Sequence, residues 1–133
     1  MADEILFIGD NAGESVFDKL LISLIDKPVK YVVRSKPIIN DVTFEDAVLS
    51  GLDEVSEIVD SGVDSPGLIL KLASKDFRDL FYSSDFVISK GQGNFEGLWG
   101  EDRNIFFLLK AKCISVARSI GVELGSLILM WSG

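Results

Sequence analysis

The stretch Ile5-Leu6-Phe7-Ile8-Gly9-Asp10-Asn11-Ala12-Gly13-Glu14 carries the strongest structural signal in the chain. Its first four residues are apolar without alternation, as in a strand covered on both faces, and Gly9-Asp10-Asn11 stops the run. Strands buried on both faces belong to parallel sheets, and parallel neighbours need crossover helices. A crossover follows: from Gly13 to Asp26, Val16, Phe17, Leu20, Leu21, Leu24 and Ile25 recur at spacings of three and four, the stripe of a helix facing a core, and Pro28 ends it.

The alternation continues along the chain. Val29 to Arg34 has the β-branched and aromatic content of a second strand, and Lys36 to Asp41 forms a loop. Thr43, with Asp46 three residues on, opens a short helix in the manner of a capping box, and Gly51 stops it. Ser56 to Asp60 reads as a third strand, and Ser61 to Gly67 as a polar loop. Ser74 caps a helix with the apolar face Phe77, Leu80 and Phe81, and Asp85 to Ser89 is a fourth strand, ended by Lys90-Gly91-Gln92-Gly93-Asn94. Asn104 to Lys110 is a fifth strand, Lys112 to Ile120 a helix closed by Gly121, and Ser126 to Trp131 a last strand. The pattern predicts right-handed βαβ crossovers and one α/β domain over residues 1 to 133, a three-layer sandwich around a mostly parallel sheet.

Composition narrows the chemistry. The 133 residues include 13 Lys+Arg and 21 Asp+Glu, a net charge of −8, which disfavours a nucleic-acid partner held through phosphate contacts. There is no His, which excludes Ser-His-Asp and Cys-His catalysis and imidazole zinc sites. Cys113 is the one cysteine, so no internal disulfide forms, and the expected location is the cytoplasm. No apolar run approaches the roughly 18 residues of a membrane span, and the acidic N-terminus is unlike a secretory signal, so no membrane partner is expected. Hydrophobic residues make up 47% of the chain. With a mean hydropathy of +0.31, either the sheet is buried on both faces or apolar surface meets another domain or subunit.

In such sheets ligands bind beyond the carboxyl ends of the strands, where three polar segments collect. Asp10 and Asn11 offer adjacent hard oxygen donors and Asp41 a second carboxylate, a set suited to an octahedral divalent ion. The same residues also fit an ordinary strand-to-helix turn with Asn11 as N-cap. Gly13 lies where helix amides receive a phosphate, while Glu14 is also a favourable first-turn acid. Lys90, Gly91, Gln92, Gly93 and Asn94 combine close backbone approach with donors for phosphate oxygens, or form a glycine-rich turn with a solvated Lys. Neither G-x-x-x-x-G-K-[ST] nor G-x-G-x-x-G is present, which removes support for NTPase and dehydrogenase chemistry. A phospho-receiver domain needs an isolated acceptor Asp after the third strand, for which Asp60 is the one candidate.

The segments ILFIGDNAGESVFDKLLI, SKPIINDVTFEDA, GLDEVSEIVDSGVDSPG, DFVISKGQGNFEGL and NIFFLLKAKC resemble the carboxy-terminal catalytic part of the damage-control phosphatases, the former "domain of unknown function 89" group. The DNAGE, IIND and KGQGN blocks carry the resemblance, and the KGQGN form is similar to the prokaryotic branch. It implies a Rossmann-like fold and a phosphatase that uses a divalent metal (Mn²⁺, Mg²⁺, Co²⁺ or Ni²⁺) on small phosphorylated metabolites such as sugar phosphates or phosphopantetheine-like compounds. The family's metal ligands fall on Asp10, Asn11 and Asp41. Its catalytic and phosphate-binding groups fall on Asp10, Asp41, Glu14 and Lys90, and on Gly13, Gly91, Gln92, Gly93 and Asn94. Family members are about twice this length, with a helical amino-terminal region that carries C-x-x-C in the prokaryotic branch. This sequence lacks both, so the alternative expectation is an interaction module, half of a split phosphatase, that meets a second copy of itself or a separate helical chain through an exposed apolar surface.

Overall fold

The computed structural model describes residues 4–34, 42–63, 68–101, 104–110, 118, 121 and 127–132. Its strands are β1 (Ile5–Ile8), β2 (Val29–Val33), β3 (Glu57–Asp60), β4 (Phe86–Lys90), β5 (Ile105–Lys110) and β6 (Leu127–Ser132). They form one sheet in the order β3-β2-β1-β4-β5-β6. The first five are parallel and β6 runs antiparallel along β5 at the edge. The helices are α1 (Ser15–Ser23), α2 (Phe44–Leu49), α3 (Lys75–Ser83) and α4 (Gln92–Leu98).

The period of two in each strand sends neighbouring side chains into opposite cores. From β1, Leu6 and Ile8 pack with Phe77 and Phe81 of α3 and Phe95 and Leu98 of α4. Phe7 points the other way, to Tyr31 of β2, Ile22 of α1 and Ala47 of α2. One helical layer therefore covers each face, the three-layer α/β sandwich expected from the sequence. The strand order turns around between β1 and β4, so the crevice beyond their carboxyl ends is the topological switch point, where ligands bind in open α/β sheets.

Local signals behave largely as expected. Thr43 accepts the Asp46 N–H while the Asp46 carboxylate accepts the Thr43 N–H, a complete capping box for α2. Ser74 accepts the Phe77 N–H at 3.1 Å and starts α3. The loop from Lys36 to Asp41, the helix from Lys112 to Ile120 and Cys113 lie outside the described residues, apart from Arg118.

Two elements depart from the sequence reading. The helix expected from Gly13 begins as a 3-10 turn over Ala12–Glu14 and becomes α1 at Ser15. Its apolar stripe does not face the core: Val16, Phe17, Leu20, Leu21 and Leu24 are exposed, and Ser15, Asp18 and Ile22 are buried instead. Polar contacts set this rotation. The Ser15 hydroxyl meets that of Ser50 at 2.6 Å, and Tyr31 beneath the helix donates its hydroxyl to Asp18 at 2.7 Å.

The second departure is α4, which occupies what the sequence presents as a glycine-rich segment followed by Phe95-Glu96-Gly97. Two glycines in seven residues oppose a helix by propensity, yet burial of Phe95 and Leu98 holds it. Gly97 is required by contact: a methyl there would overlap the carbonyl oxygen of buried Leu68. Alanine in place of a helix-interior glycine ordinarily stabilises by up to about 1 kcal/mol. Gly97→Ala is expected instead to destabilise by about 1–3 kcal/mol in urea unfolding, since backbone must move to admit the methyl. A raised unfolding midpoint would refute that packing.

Candidate active site

The chain crosses the switch point through Gly9, Asp10 and Asn11 on one side and Lys90 and Gly91 on the other. Gly9 N–H continues the ladder to the Val32 carbonyl at 3.1 Å. Val42 N–H donates to the Asp10 carbonyl at 2.7 Å, and Arg34 N–H to the Val42 carbonyl at 2.9 Å, so the chain entering α2 returns to the end of β1. Gly91 has φ of 90°, and any Cβ on it would overlap the Asp10 carboxyl group. Only glycine allows the end of β4 to lie this close to Asp10.

Lys90, the last residue of β4, turns into the α1 side. Its ammonium donates to Asp18 Oδ1 at 2.9 Å and to Glu14 Oε1 at 3.1 Å, while Tyr31 donates to Asp18 Oδ2 at 2.7 Å. Burial pushes the Asp18 carboxyl above its ordinary range, against the opposing pull of Tyr31 and Lys90. Burial alone would lower the Lys90 ammonium, but the hydrogen bond and charge of Asp18, with those of Glu14, more than offset it and hold Lys90 above the usual lysine value. Tyr31 is raised far above an ordinary phenol by burial and then by Asp18, so it stays a neutral donor.

The other sequence candidates separate. Asn11 Oδ1 accepts the Gly13 N–H at 2.7 Å, the capping role, and keeps a second lone pair. That bond engages the Gly13 amide, which corrects the expectation of an amide waiting for phosphate. Gln92 donates to Glu96 Oε1 at 3.1 Å at the start of α4, beside Gly93. Asn94 is a clearer correction. It is 0% exposed, and its amide accepts from Arg34 Nη2 and Leu68 N–H and donates to the carbonyls of Gly9 and Lys90. All its hydrogen-bonding capacity is spent inside the protein, so it supports the site from below. Asp41 lies outside the described residues, and among those described no group of three or more acidic or Cys side chains converges as a metal cage.

Sequence reasoning missed Asp18, Tyr31 and Arg34. Asp18 had one signal: it follows Glu14 by four residues, placing both acids on one side of the helix. Among the described residues, three carboxylates, Asp10, Glu14 and Asp18, outnumber the Lys90 ammonium and the buried Arg34 guanidinium here. A bare phosphate dianion would meet net negative charge. The donor set therefore fits a hard divalent cation near Asp10 and Asn11 better than direct anion capture by protein alone.

The fold and the side chains at its switch point define a Rossmann-like α/β protein with an acidic, lysine-bearing site. The model of the "Damage-control phosphatase ARMT1-like domain" matches residues 1–128, and the chain belongs to that family. It is 44% identical to "Damage-control phosphatase PH1575" of Pyrococcus horikoshii, over 97% of this chain and 47% of that one. It is 43% identical to "Uncharacterized protein MJ0202" of Methanocaldococcus jannaschii, over 96% of this chain and 44% of that one. The crystal structure of PH1575, described as a DUF89 family protein, superposes with a TM-score of 0.89 at 43% identity, covering 98% of this chain and 47% of that one. The chain thus spans about half the length of the curated relatives it matches.

The role given to Asn94 has a direct check. Asn94→Ala leaves the Leu68 N–H, the Arg34 guanidinium and two carbonyls short of a buried partner. The expected loss is at least about 2 kcal/mol by urea unfolding. A loss near zero would show that the amide does not organise these strand ends.

Proposed function

We propose that this unit hydrolyses phosphomonoesters of small metabolites with a divalent cation. The observation that carries the proposal is the close approach of Gly91, which follows Lys90 at the end of β4, to the Asp10 carboxyl across the β1/β4 switch point, the place where this fold binds ligands. The family membership and the printed names of the relatives from Pyrococcus horikoshii and Archaeoglobus fulgidus support it.

Asp10, Asn11 and Asp41 would hold the cation, drawn from Mn²⁺, Mg²⁺, Co²⁺ or Ni²⁺. When bound, it supplies charge neutralisation on phosphate oxygens and activation of a water. Lys90 binds a phosphate oxygen through its ammonium, fixed from beneath by Asp18. The backbone at Gly91, Gln92 and Gly93 borders the remaining oxygens, with Gly91 against the Asp10 carboxyl. Glu14 or Asp41 accepts the proton of the attacking water.

A second reading has its own observation. The outward faces of α1 and α2 expose Phe17, Leu20 and Leu49, with Leu24 exposed just after α1, which favours a unit that turns over substrate only when further polypeptide packs on it.

The deciding measurement is turnover of a panel of phosphorylated metabolites with each cation, with and without EDTA. Chelation is expected to abolish activity, and Asp10→Ala to lower it by about a hundredfold or more. Turnover that survives both would overturn the metal assignment. Turnover absent with every cation, and restored by adding the remaining polypeptide of a longer relative, would favour the second reading.

A further inference from the structure

Lys90 has two counter-ions of very different character. The Asp18 side chain is 2% exposed and is gripped on its other oxygen by Tyr31. The Glu14 side chain is 46% exposed, sits where the 3-10 turn gives way to α1, and makes no capping bond of its own. Both contact the same ammonium, at 2.9 Å and 3.1 Å. The Lys90 side chain is itself only 11% exposed, so an anion reaching it from solvent arrives on the Glu14 side.

An ammonium has three N–H donors, and here two are committed to carboxylates. Were both fixed, Lys90 would carry a surplus of negative charge and make a poor anion receptor. If one can leave, the lysine is held in position by the other and presents a freed N–H to the ligand. Burial and the Tyr31 bond identify Asp18 as the one that stays. Half exposure lets Glu14 take water in place of Lys90 at little cost, because an exposed carboxylate regains its hydration when it swings out.

We propose that Glu14 is an exchangeable counter-ion of Lys90: a phosphate oxygen displaces the Glu14 carboxylate from the ammonium, while Asp18, held by Tyr31, keeps the lysine in place. This rests on Lys90 receiving phosphate, as put forward above, and adds how the Lys90 ammonium is paired before the ligand arrives and what must move for it to enter. Glu14 competes with phosphate for one N–H, so removing the competition tightens phosphate binding. Glu14→Gln leaves only a neutral, weaker acceptor for that N–H, whereas shortening the side chain by one methylene removes the contact yet keeps the charge.

The test is calorimetric titration of inorganic phosphate, in the presence of Mn²⁺, into the unsubstituted chain, Glu14→Gln and Glu14→Asp. Both variants are expected to bind phosphate roughly tenfold more tightly, and in a Lys90→Met background the same substitutions are expected to change nothing. Tightening in Glu14→Gln alone would show only the field of one charge and overturn the exchange. Unchanged or weaker binding in both variants would also overturn it, while leaving Lys90 as a phosphate group intact. If the unsubstituted chain and every variant fail to bind phosphate, the phosphate site itself falls, and this inference with it.

Discussion

The side-chain amide of Asn94 ties together pieces of chain that the sheet alone does not join. It reaches Gly9 beyond β1, Arg34 beyond β2, Leu68 beyond β3 and Lys90 at the end of β4, with no surface exposed to water. Parallel strands bond along their lengths, but their carboxyl ends diverge into loops whose backbone groups need partners. A single amide, with two donors and a two-lone-pair oxygen, supplies partners to four such ends at once. It does so only because α4 begins immediately after β4 and carries Asn94 back beneath the crevice. Gly91 makes that sharp entry, and Gly97 lets the same helix lie against Leu68.

A second polar chain works on the opposite face. Tyr31 rises from β2 into the layer of α1 and fixes Asp18, which in turn fixes Lys90. Because these groups are buried, each must find its partner or incur a large desolvation cost, and that requirement rotates α1 about its axis. The helix gives up burial of Val16, Phe17 and Leu20 to satisfy one carboxylate. A hydrophobic side chain left in water forfeits about 1.5–3 kcal/mol and stranding a buried charge costs about 3–5 kcal/mol, so three exposed side chains outweigh one carboxylate. The Asp18 contact therefore prevails only with the additional help of Ser15 and Ile22 packing inward.

This explains how much the sequence discloses. Strand β1 and its turn were legible because an unbroken apolar run followed by Gly-Asp-Asn has few alternative meanings, and the capping signals at Thr43 and Ser74 are local chemistry. Asp10 and Lys90 were legible as candidates because βα topology alone sends them to one edge. The rotation of α1 was not, since the spacing of Val16, Phe17, Leu20, Leu21 and Leu24 describes an apolar face without saying what lies against it. Asn94 looked like a ligand group because an amide in a glycine-rich segment offers the same donors to a phosphate as to four buried backbone and side-chain partners. Only the fold tells which of these it meets.

The exposed stripe of α1 also clarifies the high hydropathy of the chain. Among the described residues, apolar side chains line both cores of the sheet, yet many others are not hidden in the sandwich. They lie on its outside, with Phe17 73% exposed on α1, Leu24 78% exposed just after its end and Leu49 87% exposed on α2. A helix with a polar anchor turned inward and an apolar face turned outward is the reverse of the ordinary surface helix. The polar anchor is the route from this surface to the site: Glu14 and Asp18, both on the α1 side, are the residues that hold Lys90. The carboxylates that balance the Lys90 charge and the outward apolar face therefore lie on one stretch of chain, from Glu14 to Leu24.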